Sequence, residues 1–110
     1  MEAISLTRLA EEQLAQARQA DSGRSARSIH AGHDRVLRQT VLALVAGCEL
    51  AEHDSPGEAT LQVLEGTVRL ITGGEAWQGA AGDYVTIPPE RHSLAALEDA
   101  AILLTVATPR

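Results

Sequence analysis

A chain of 110 residues is long enough for one domain with a modest core and too short for two. Hydrophobic residues make up 45% of it but aromatics only 2%, Trp77 and Tyr84, so the core must come from Leu, Val, Ile and Ala, and with so few anchors a platform for stacking single-stranded bases is not expected. The net charge is −6, with six arginines against five acids up to Arg38 and three against ten from Gln39 onward, so the second part repels a phosphate backbone and nucleic acid is not an expected partner.

The first element is a helix. Leu6, Leu9, Ala10 and Leu14 recur at helical spacing, Ala17 extends the stripe, and Ser5 stands at the N-cap position. Gly23, after Asp21 and Ser22, stops the pattern. The apolar face would lie either against the rest of the domain or against a partner subunit. No helix-turn-helix partner follows, so a DNA-reading role is not expected. Glu2, Arg8, Glu11 and Glu12 interrupt any signal-peptide pattern, and no segment is apolar enough to span a membrane. The expected location is therefore cytoplasmic, with no membrane partner.

After Gly23, short β-prone runs alternate with Gly, Pro and Asp. Strands are expected over 26–30, 36–45, 60–64, 67–72, 75–78, 84–87, 92–94 and 101–106. Gly73-Gly74 is a hairpin signal, and Pro88-Pro89 ends the strand before it. Cys48 is the only cysteine, so no internal disulfide can form, and it reads as a small, partly buried residue after a turn. Many short strands with regular turns imply a sandwich or small barrel, and the absence of βαβ alternation disfavours a parallel nucleotide-binding sheet. The fold class is all-β with an N-terminal α-helix, divided into residues 1–22 and 23–110.

Two stretches carry the chemistry. One runs from Gly47 through His53, Ser55, Glu58 and Ala59 to Gly66. The other is Gly82-Asp-Tyr-Val-Thr-Ile-Pro88-Pro-Glu-Arg-His92. Together they resemble the two signature motifs of the cupin family. The first motif of that family reads Gly, five residues, His-x-His, three or four residues, Glu, six residues, Gly, and Gly47, His53 and Gly66 stand at that spacing. The second reads Gly, five residues, Pro-x-Gly, two residues, His. Gly82 and Pro88 match it, and His92 matches with one residue fewer and Glu90 in place of the glycine. The likeness covers about Gln39 to Val106 and takes in the Glu98-Asp99 run.

The resemblance implies a jelly-roll β-barrel, often a homodimer. It also implies an interior site for a divalent transition metal (Fe, Mn, Zn or Ni) held by three His and one Glu. His53 and His92 stand at two of these metal positions. The second His position is Ser55 and the Glu position is Ala59. Glu58 adjoins it, but its side chain would turn to the opposite face unless a bulge at Pro56-Gly57 rotated it inward. His30 or His33 would have to swing in from the first strands. Two imidazoles alone rarely hold a metal tightly. The expected ligand-binding set is His53, His92, Gln39, Ser55 and Leu61. Val63, Leu94 and Ala96 share the inward parity, so the lining is apolar with two convergent imidazoles.

Other residues read more simply. Arg91 is expected to face solvent and Trp77 to serve surface packing or an interface. Gly73-Gly74 lacks the continuation of a phosphate loop, and neither Ser55 nor Ser93 has the glycine arrangement of a hydrolase nucleophile. Three readings result. The first is a stand-alone small cupin that binds a small molecule in its barrel. The second is a metal-dependent enzyme of the dioxygenase or isomerase kind built on His53 and His92. The third is an oligomerising module assembled through the N-terminal helix.

Overall fold

Ser5 starts the helix as its sequence position predicts. Its backbone is extended, and its hydroxyl accepts the Arg8 N–H at 3.2 Å, filling one of the donors a helix start leaves unpaired. Helix α1 (Leu6–Gln19) buries Leu9, Ala10, Gln13, Leu14 and Ala17 on one face. Gly23 then adopts φ 72° and reverses the chain into the first strand. The computed structural model describes residues 1–54 and 57–108.

Among these residues nine strands follow: β1 (Arg24–His30), β2 (Leu37–Leu44), β3 (Glu49–His53), β4 (Glu58–Glu65), β5 (Thr67–Thr72), β6 (Ala76–Ala80), β7 (Tyr84–Ile87), β8 (His92–Ala96) and β9 (Ala100–Ala107). They form a five-stranded sheet, β1-β2-β9-β4-β7, and a four-stranded sheet, β3-β8-β5-β6. Every pairing is antiparallel, and the two sheets face each other as a jelly-roll barrel. Strand β3 is the one element the sequence pattern does not announce. Its sequence, ELAEH, contains no β-branched residue, and it pairs on one side only, with β8.

Alternation along β2 and β9 explains the packing. Leu42, Leu44, Ala100, Ile102 and Val106 point into the barrel, where they meet Leu61, Val63, Val68, Leu70 and Leu94. Val41, Ala43, Ala101 and Leu103 point the other way and are covered by Leu9, Ala10, Leu14 and Ala17 of α1. These central strands are therefore apolar on both faces. Of the two placements open to α1, the structure shows the one against its own domain. Each fully buried leucine in that contact contributes about 1.5–3 kcal/mol. Among the described residues, no helix is long and apolar enough to cross a membrane.

Because the strands alternate in direction, the turns fall alternately at two ends. The β2–β3, β4–β5, β6–β7 and β8–β9 turns share one end and close it. There the Asp99 carboxylate accepts the Ala46 N–H at 2.8 Å and the Arg18 guanidinium at 2.8 Å, tying the helix, the β2–β3 turn and the β8–β9 turn together. The β3–β4, β5–β6 and β7–β8 connections lie at the opposite end, where β3 finishes and β8 begins.

Candidate functional site

His53 closes β3 and His92 opens β8, and the two are direct cross-strand partners. Their alignment depends on an irregularity. Leu50 pairs with Leu94, so three steps along β3 match two along β8. Strict alternation from Leu50 would have put Glu52 opposite His92. The extra residue of the bulge re-aims the strand and delivers His53 instead. The ring centroids lie 4.5 Å apart at an interplanar angle of 67°. His92 is buried, only 4% exposed, whereas His53 reaches solvent.

Both rings are held in the same way. His53 Nδ1 lies 2.9 Å from the Ala51 carbonyl and His92 Nδ1 lies 2.9 Å from the Glu90 carbonyl. A carbonyl only accepts, so Nδ1 carries the proton in each ring. In the neutral imidazoles both Nε2 atoms are then lone-pair acceptors. Around them stand Leu42, Leu50, Leu61, Leu70, Ile87 and Leu104. The space they enclose is about 30 Å³, enough for one water-sized group. It is about a tenth of the smallest common small-molecule pocket.

The structure brings Leu61 and Leu94 to the histidine pair as their parity predicts. Val63 and Ala96 are buried in the same core but do not line this space. Gln39 stands elsewhere. It shares the helix-side face of β2 with Val41, and its amide donates to the Thr105 hydroxyl at 3.2 Å. Ser55 and Pro56 lie outside the described residues. Ala59 is a core residue, 2% exposed, paired with Ile87 and Val106. Glu58 pairs with Ala107 and stays exposed, so its side chain does not turn inward. His30 contacts Arg35 from the edge strand β1, and His33 is exposed. Neither joins the pair.

Two features escaped the sequence reading. Thr72 pairs with His92 across β5 and β8, so His53, His92 and Thr72 form one row across the sheet. Register supplies that row, and no motif marks it. Trp77, expected at the surface, instead pairs with Leu70 and packs partly buried against the barrel core. Arg91 is exposed as expected, but its charge is engaged by Glu52 at 3.0 Å and Asp54 at 2.9 Å. The Glu52 hydrogen bond first, and the Asp54 charge second, hold its pKa above the ordinary arginine value.

A metal centre of the kind the motifs imply needs more donors than these. Among the described residues no three His, Cys, Asp or Glu side chains converge. Two imidazoles with an alanine at the carboxylate position do not fit a closed structural site or a three-ligand catalytic one.

Comparison with known proteins agrees with the architecture. The family model described as Cupin domain matches residues 40–107. A conserved protein of unknown function from Streptococcus pyogenes is 28% identical, with TM-score 0.73, over 83% of this chain and 79% of that one. An RmlC-like cupin from Desulfovibrio desulfuricans is 24% identical, with TM-score 0.68, over 79% of this chain and 84% of that one. An RmlC-like cupin from Shewanella frigidimarina is 20% identical, with TM-score 0.70, over 81% and 79%. No curated protein matches the chain.

Proposed function

Since this chain belongs to the cupin domain family, we propose that it is a small-molecule-binding barrel in which His53 and His92 together receive a hydrogen-bond donor of the ligand. The observation behind this is the Nδ1–carbonyl contact that both rings make, from which the tautomer follows. Two Nε2 acceptors, each oriented by the backbone carbonyl two residues before its ring, border one apolar space. A donor placed there exchanges water for two acceptors in a low-dielectric setting, where a hydrogen bond is stronger and a mismatch costs more. The small volume means that one hydroxyl or N–H group enters beside His92. The rest of the ligand stays at the open end, near the solvent-exposed His53.

The test is ¹⁵N NMR of the imidazole nitrogens during titration with small alcohols, amides and azoles. Binding should move the Nε2 resonances of both rings together, and His53→Ala or His92→Ala should each abolish the response. If no compound class moves either ring, the proposal fails.

The tautomers also bear on the metal-dependent reading, because metal-binding histidines are commonly held through Nδ1 by a carbonyl or carboxylate. The ligand set weighs against it. Elemental analysis of protein purified without a chelating tag should find well under one transition metal per chain. A full equivalent, lost in both His53→Ala and His92→Ala, would replace small-molecule binding with metal-dependent chemistry.

A further inference from the structure

A second hollow lies beside the histidine pair, at the seam where the free edges β6 and β7 of the two sheets meet. It encloses about 160 Å³ between Leu70, Thr72, Glu75, Trp77, Val85 and Pro88. Leu70 lines both this hollow and the histidine space. We propose that this seam cleft is a binding site for a primary alkylammonium group.

The local chemistry singles out that class. The two-residue turn Gly73-Gly74 sets Thr72 and Glu75 opposite each other, with the Thr72 N–H donating to the Glu75 carbonyl at 2.9 Å. Glu75 immediately precedes β6 and lines the cleft, as does the face of β6 that carries Trp77. Trp77 opposes Leu70, which fixes that face as the inner one. The six-membered ring of the indole lies against Gly79, where an added Cβ would come within 2.1 Å of it. Glycine at 79 therefore lets Trp77, the only tryptophan of the chain, lie along the cleft wall.

Among the described residues the Glu75 carboxylate has no ion-pair or hydrogen-bond partner, and neither has the Trp77 indole N–H. Among the described residues, Glu75 is also the one ionisable side chain lining the cleft. A lone carboxylate beside an aromatic wall repels anions and lacks the imidazoles or thiolates a transition metal needs. It suits an organic cation, held by the carboxylate and by the face of the indole. The Thr72 hydroxyl is a further acceptor for an ammonium N–H. Leu70, Val85 and Pro88 offer apolar contact to an alkyl chain. An ammonium has three N–H donors to place among these groups, whereas a hydroxyl has one.

The experiment is a titration with butylammonium chloride and, separately, with butan-1-ol, at constant ionic strength, following Trp77 fluorescence. The ammonium should give a saturable change below about 0.1 M, as expected for so few ligand atoms. The alcohol should bind about tenfold more weakly or not at all. Glu75→Gln, an exposed and conservative change, should weaken ammonium binding by about fivefold or more. Equal responses to the two compounds, no saturation, or an unchanged midpoint in Glu75→Gln would each overturn the proposal. The same titration on His53→Ala should match wild type, so the seam cleft and the histidine pair succeed or fail separately.

Discussion

Gly66 ends the first motif, and its surroundings explain why no side chain is allowed there. Its φ is 77°, and a Cβ at this position would lie 2.1 Å from the Asp99 carbonyl oxygen and 2.8 Å from Ala100 Cα. Both obstacles are backbone, so no rotamer change relieves them. Gly66→Ala should destabilise the fold by about 3 kcal/mol or more, combining left-handed strain with displacement of the β8–β9 turn. Urea unfolding would show a midpoint shift of that size, and an unchanged midpoint would contradict the contact. His53 is the contrasting case. Its place was readable only from motif spacing, because parity counted from Leu50 points Glu52 at His92 instead. Bulges depend on partner-strand register, which a single strand's pattern does not contain. Gln39 failed for the same reason in reverse, since one position along β2 separates the barrel face from the helix face.

Among the elements, β5 and β7 were readable to the residue. Thr67–Thr72 is bounded by Gly66 and by Gly73-Gly74, and Tyr84–Ile87 by Gly82-Asp83 and Pro88. Strand β3 was not, since an edge strand with one exposed side needs few apolar or β-branched residues. The helix was legible from its stripe, although its destination was not, because an apolar face does not say which surface covers it. The structure places that face on Val41, Ala43, Ala101 and Leu103. Leu14, 1% exposed, sits at the centre of the contact. Leu14→Ala should cost about 2–5 kcal/mol. Removal of residues 1–20 should expose the outer face of the five-stranded sheet and give a poorly folded, aggregating product. If α1 served assembly alone, the truncated barrel would stay folded and light scattering would show only a smaller oligomer.

At the scale of the whole molecule, two exposed charge clusters sit at opposite ends of the barrel and respond differently to pH. At the open end Arg91 pairs with Glu52 and Asp54, and its pKa is raised. A raised basic group stabilises the fold below its unfolded pKa and loses that contribution only as pH rises through the folded value. For arginine that lies far above any working pH. At the closed end Asp99 is held below its ordinary pKa, first by the Ala46 N–H and then by Arg18. A lowered acid stabilises the fold above its unfolded pKa and loses the contribution as pH falls through the folded one. The consequence falls on the acid side, below about pH 4. Arg18 lies in the last turn of α1, so protonating Asp99 removes the ion pair that holds the helix end and weakens the hydrogen bond that holds the β2–β3 turn. The melting temperature of wild type should exceed that of Asp99→Asn at pH 7, and the gap should close as pH falls from about 5 to 3. Asn keeps an acceptor for the Ala46 N–H and removes only the charge. A gap that stays constant down to pH 3 would mean that the Asp99 charge does not stabilise the closed end.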